Sequence, residues 1–306
     1  MIFPTMSAGP DLPHFDLHRG LWRAEIHDPR PNPVILGARY VQGGYVHRLW
    51  RGERCLTGMA SPRWNPFDGA GTPETFETDL GAAHTDEGDT YLRIGAGRII
   101  NQGGSRRHLY LPDLPVHWQL VDRGDDWLTM RCNDAILRQG GMFGYQLERT
   151  VRLHDDGLES LTTLMLTCPW NHPVSWFPHP FFAQNAADET AYLLPTSASL
   201  TGQLSRSDDG LARLTPGKWA GASGQAHAVW GHRGNIDCHL SPAHGGGVMR
   251  MEISWPWDHV VVWASRFASS VEPQLGRIWP RREQASWSIR YRWIEQGERR
   301  KAEVGS

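Results

Sequence analysis

The chain reads as an all-β protein, one large antiparallel β-sandwich, on three observations. Apolar residues recur with a period of two, helical periodicity is nearly absent, and 33 Gly and 21 Pro interrupt the chain every few residues. In Ser286–Trp293 the apolar residues Trp287, Ile289, Tyr291 and Trp293 share one face. Ser286, Ser288, Arg290 and Arg292 share the other, as in a half-buried strand.

Taken in order, residues 1 to about 20 read as an irregular arm, with no basic start or sustained apolar stretch to suggest a secretory leader. Within the arm His14 and His18 have i, i+4 spacing, but Pro13 argues against a helix and they read as surface histidines. The Pro- and Gly-rich run from Ser61 to Thr75 reads as a loop, as does Ala186 to Asp188. Three β-hairpins are expected. One joins Val116–Val121 to Trp127–Cys132, a second joins Tyr145–Leu153 to Leu158–Leu166 through Asp155-Asp156-Gly157, and a third joins Ala228–His232 to Ile236–Leu240. Val260–Ala264 suits a buried strand, and 298–306 a polar tail. No linker-like composition breaks the chain, so residues 1–306 are expected to form one domain.

Composition removes several functional classes. The 31 basic and 33 acidic side chains nearly cancel, which counts against a nucleic-acid binder. No segment approaches the ~18 consecutive apolar residues of a membrane helix. Cys55, Cys132, Cys168 and Cys238 are far apart and form no C-x-x-C pair, so reduced thiols in a cytoplasm are expected rather than a zinc or redox pair. Gly95-Ala96-Gly97 has Ile100 where a dinucleotide loop wants a third Gly. The motifs G-x-S-x-G, Walker A and H-E-x-x-H are absent. No tightly bound metal and no organic cofactor are expected, since the histidines form no spaced ligand set. The 15 Trp must fill a large core or offer flat faces to a ligand.

Two clusters carry candidate chemistry. In Asn171–Phe182, His179 stands between two prolines and among aromatics. That setting fixes the imidazole and suits either a structural histidine or a tuned proton donor. Near the C-terminus, Glu283 follows Trp279-Pro280-Arg281-Arg282 where the chain enters its last clear strand. It reads as a surface ion pair or as a carboxylate held at a cleft. Glu272-Pro273-Gln274 supplies a second acidic segment.

In this order the pieces resemble the aldose 1-epimerase (galactose mutarotase-like) superfamily. The likeness begins at Leu36–Gly44 and continues through Phe76–Asp79, Gly88–Gly97 and Gly144–Arg149. It then runs through His179-Pro180-Phe181-Phe182, similar to the family's H-x-x-F setting, to Glu272-Pro273-Gln274 and Pro280-Arg281-Arg282-Glu283. The Gly that precedes the family's last glutamate is replaced here, and an extra Arg intervenes. The resemblance implies a β-supersandwich with a sugar cleft, no cofactor, and interconversion of anomers by general acid/base ring opening. It implies Glu283 as base and His179 as acid. Glu272, Trp176 and Trp279 are expected near the sugar, with a further histidine that is either His108 or His117 and an arginine that is Arg106 or Arg107. The partner expected is a small-molecule sugar, not a membrane or a nucleic acid. Two alternatives stand beside this one: a non-catalytic carbohydrate-binding protein on the same fold, and a lyase or hydrolase acting on an oligosaccharide.

Overall fold

The computed structural model describes residues 12–32, 36–61, 63, 65, 67–102, 113–184, 190–214, 222–232, 234–240, 247–265 and 267–294, with the backbone alone at 222–223, 228–232 and 258. Among these residues 61% lie in strands, and the only helical element is a 3₁₀ turn at Ala82–His84. None of their helices is long and apolar enough to cross a membrane.

The strands, in chain order, begin with β1 (His14–Arg19), β2 (Trp22–His27), β3 (Val46–Arg51), β4 (Arg54–Cys55), β5 (Glu74–Phe76), β6 (Asp79–Leu80), β7 (Thr90–Arg93), β8 (Gly97–Ile100) and β9 (Leu114–Pro115). They continue with β10 (Gln119–Arg123), β11 (Trp127–Arg138), β12 (Gly141–His154), β13 (Gly157–Thr167), β14 (His172–Pro178), β15 (Phe182–Ala183), β16 (Thr190–Leu193), β17 (Ser199–Gly202) and β18 (Ser205–Arg206). The last are β19 (Ala212–Leu214), β20 (Ala222–His232), β21 (Ile236–His239), β22 (Val248–Ile253), β23 (Trp257–Ala264), β24 (Ala268–Pro273), β25 (Leu275–Trp279) and β26 (Gln284–Ile294).

A ten-stranded antiparallel sheet, in the order β10-β11-β12-β13-β26-β22-β21-β16-β19-β18, forms the main layer. Four smaller sheets accompany it: β1-β2-β3-β4, β6-β7-β8-β9, β25-β14-β5 and β15-β24-β23-β20-β17. One hydrophobic cluster unites side chains from the main sheet with those of β1–β3, β14, β23 and β24. The period-two reading of the C-terminal strand holds, because Trp287, Ile289, Tyr291 and Trp293 are buried while Ser286 is exposed.

The tryptophans divide in favour of the core. Trp176 stands edge-on to Trp255 at 4.8 Å and to Trp287 at 5.4 Å, and Trp279 meets Trp287 at 5.5 Å. Each such pair adds about 0.5–1.5 kcal/mol beyond its buried area.

The first two expected hairpins form, as β10–β11 and β12–β13. The third does not. β20 pairs with β17 and β23 in one sheet, whereas β21 pairs with β16 and β22 in another. The chain therefore passes from one sheet to the other between β20 and β21. The expected N-terminal arm ends early, since β1 turns Phe15 and Leu17 into the core. The expected loop from Ser61 likewise gives way at Glu74, where β5 begins. Residues 186–188 and 298–306 lie outside the described residues.

Gly71 is a point of close approach in the segment leading to β5. Its φ is +72°, and a Cβ there would come within 2.0 Å of the Val46 carbonyl oxygen. Its own carbonyl accepts the Phe181 N–H at 2.7 Å, and the Pro73 carbonyl accepts the His179 N–H at 2.8 Å. Only a residue without a side chain lets this segment pass so near β3 and still hold the chain around His179.

Candidate functional site

β14 and β25 run antiparallel with His172 across from Trp279 and Trp176 across from Leu275. Continuing that register past the ends of both strands brings position 179 opposite position 272. The side chains do meet: His179 Nε2 lies 3.2 Å from Glu272 Oε1. On its other side His179 Nδ1 lies 3.2 Å from Ser270 Oγ. Ser270 and Glu272 alternate along β24, so they present both polar groups on one face.

Aromatic rings enclose the imidazole. Phe181 stacks on it at 4.5 Å, and Tyr40 and Trp263 approach edge-on at 6.2 Å and 6.3 Å. His179 and Glu272 are each only 5% exposed. Burial pushes the Glu272 carboxyl up to about 7, against the opposing pull of Arg39 and a hydrogen bond from Ser270. Burial also drives His179 well below the usual imidazole range, and Arg39 pushes it the same way. Both charged forms are thus disfavoured, and below about pH 7 the proton rests on the carboxyl beside a neutral imidazole. A buried acid and base in contact, with Arg39 half-buried nearby, is an arrangement suited to proton transfer.

The face that carries this pair is extended and polar. Val261 and Trp263 lie opposite Glu272 and Ser270, while Gln225 and His227 lie opposite Val261 and His259. The rings of His227 and His259 stack at 4.6 Å, within 5° of parallel. Gln274 joins this edge through its N–H to the His259 carbonyl at 2.9 Å. A groove of about 770 Å³ lies toward the His172 end of β14, lined by Ser175, Glu77, Gly276 and Arg277 and by none of the residues around His179 and Glu272.

The other expected site residues fall elsewhere. Glu283 is not brought to His179: it lies beyond Trp279, at the His172 end of β14, and its carboxylate pairs with Arg277 at 2.5 Å. Arg277 lies across from Val174, and the five residues from Val174 to His179 span roughly 17 Å of extended backbone. Trp176 and Trp279 face the core, at 0% and 1% exposure, because alternation turns them toward Trp287. The tryptophan beside the pair is Trp263. His117 is exposed before β10. Arg106, Arg107 and His108 lie outside the described residues.

Sequence reasoning passed over Ser270, Trp263, His227, His259 and Gln225 as site residues. The alternation of His259, Val261 and Trp263 with Val260, Val262 and Ala264 was the available signal, because it assigns the first three to the face opposite the core.

No family model matches the chain, and no curated protein matches it in sequence. Solved structures do. A galactose mutarotase related enzyme from Lactobacillus acidophilus is 10% identical with a TM-score of 0.59, over 92% of this chain and 97% of that one. A galactose mutarotase-like protein from Lactobacillus casei is 14% identical with a TM-score of 0.55, over 92% and 100%. Another, from Clostridium acetobutylicum, is 12% identical with a TM-score of 0.52, over 92% and 95%. This chain has the galactose mutarotase-like fold.

Proposed function

We propose that the protein is an isomerase of the aldose 1-epimerase kind, interconverting sugar anomers through the pair His179 and Glu272. The observation that carries this reading is the 3.2 Å contact between a buried carboxyl and a buried imidazole on the face lined by Trp263, Gln225 and His227. Ring opening takes the proton from the anomeric hydroxyl and delivers one to the ring oxygen. A pair that holds a single proton supplies base and acid together. Proton exchange across the contact gives the other tautomer, so either group serves either role. After opening, rotation of the aldehyde and closure on the other face restore the pair. No proton is exchanged with solvent in the cycle. Trp263 offers an apolar face to the ring, and the Gln and His side chains offer donors and acceptors to its hydroxyls. The stacked His227 and His259 lie on β20 and β23, on the same sheet face as Glu272.

The test is anomer exchange followed by NMR over neutral, phosphorylated, sulfonated and uronic sugars. Acceleration for at least one sugar is expected, and sugar binding with no acceleration would favour the carbohydrate-binding alternative.

The pH profile is a further check. The active form holds one proton on the pair, so the rate should fall as pH rises through about 7, where Glu272 loses it. Arg39 favours the carboxylate, hence Arg39→Met should move this falling limb to higher pH. A limb that stays in place, measured as kcat against pH, would remove Arg39 from the account.

A further inference from the structure

The outer face of the β1–β4 sheet gathers a second set of polar groups, remote in sequence from His179 and Glu272. Antiparallel pairing places His14 across from His27 and Asp16 across from Glu25. Alternation then puts all four side chains on one face, opposite the core-facing Phe15, Leu17, Ala24 and Ile26. One ligand atom from each of His14, Asp16 and Glu25 lies within 4.8 Å of the others.

His14 Nδ1 is held by the Leu12 carbonyl at 2.7 Å, which makes Nδ1 the donor and leaves Nε2 with its lone pair. That lone pair faces Asp16 Oδ2 at 3.7 Å, too long for a hydrogen bond and close to the separation of two ligand atoms bound to one ion. Glu25 Oε2 accepts from Arg48 at 3.0 Å, and Oε1 is the carboxylate's other oxygen. Beside them His27 is 0% exposed, with the Pro13 backbone as its polar neighbour and no hydrogen bond of good geometry to either ring nitrogen.

We propose that His14, Asp16 and Glu25 bind a divalent first-row transition ion of the Zn²⁺ class, with water filling the remaining positions. Imidazole with two carboxylates suits such ions, whereas Mg²⁺ and Ca²⁺ prefer all-oxygen sets. The ion ties the edge strand β1 to β2, a clasp at the margin of the fold. The sequence carries no motif for it, because two ligands alternate on one strand and the third comes from its neighbour.

The experiment is calorimetric titration of the full chain, stripped with chelator and dialysed, with Zn²⁺ and separately with Mg²⁺ and Ca²⁺. One Zn²⁺ per chain is expected. Loss of groups that merely orient metal ligands costs about 10–100-fold in affinity, so His14→Ala and Asp16→Ala should each lose at least that much. Both positions are exposed, so the variants should fold, and circular dichroism checks that they do. His154→Ala, a half-buried histidine paired with Glu159, should bind Zn²⁺ as the wild type does. With free Zn²⁺ at 100 times Kd, exchange of β1 amides through opening of this sheet should slow about 100-fold. Absence of stoichiometric uptake, uptake unchanged in both variants, or equal binding of Mg²⁺ would each overturn the proposal.

Discussion

Replacing Glu272 with Gln should reduce catalysed anomerisation by about 10²–10⁴-fold while leaving sugar affinity within a few-fold of wild type. The amide keeps the shape of the carboxyl and can still hydrogen-bond, but it neither gives nor takes the proton. His179→Asn should lose rate to a similar degree. The double variant should lose little more than either single one, since the two groups act as a unit in one ring-opening step. Glu283→Gln is the control that separates the two carboxylates. Its side chain is engaged with Arg277 at the other end of β14, so the rate should be almost unchanged. Single-turnover exchange rates together with sugar titrations decide the matter. A Glu272→Gln enzyme that keeps most of its rate, beside a Glu283→Gln enzyme that loses it, would return the proton transfer to Glu283.

The choice between these glutamates shows where sequence reading stops. Both follow a strand-like run and both match an acidic segment of the same family, so local pattern does not rank them. What ranks them is register: once Leu275 lies across from Trp176, position 272 falls at the His179 end and position 283 at the other. Register is set by which faces the core claims, and Trp176 and Trp279 are claimed by the cluster around Trp287. Long strands with one apolar face, such as β12 and β26, were legible for the same reason. The break between Ala228–His232 and Ile236–Leu240 was legible, but its residues carry no information on which sheet receives the next strand. β1 was missed because its alternation is confined to Phe15 and Leu17, directly after a Pro. The proposed ligand set has no linear motif because its third member, Glu25, comes from the neighbouring strand.

Breaking the buried ion pair between Glu74 and Arg149 should cost about 3–5 kcal/mol of stability, enough to threaten folding in a domain of ordinary stability. Both side chains are 1% exposed, with Arg149 Nη2 at 2.5 Å from Glu74 Oε1. Ser160 donates to the same oxygen at 2.6 Å and Thr162 to the other at 3.1 Å. Arg149→Met leaves a buried carboxylate with two hydroxyl donors and no counter-charge. Glu74→Met leaves a buried guanidinium whose Nε and Nη1 already lack partners. Each single change therefore strands a charge. The double change strands none and leaves only the Ser160 and Thr162 hydroxyls unpaired, at about 1–3 kcal/mol each at most. Urea unfolding of the four proteins should show a double variant well short of the sum of the singles, and an additive result would mean the pair does not act as one unit. The network also bears on the active pair. Glu74 opens β5 across from Pro178, and the preceding residue, Pro73, accepts the His179 N–H at 2.8 Å. Loosening Glu74 should speed exchange of the His179 amide and reduce kcat more than it changes sugar affinity, because it disturbs the placement of the imidazole against Glu272 and not the face on which the sugar rests.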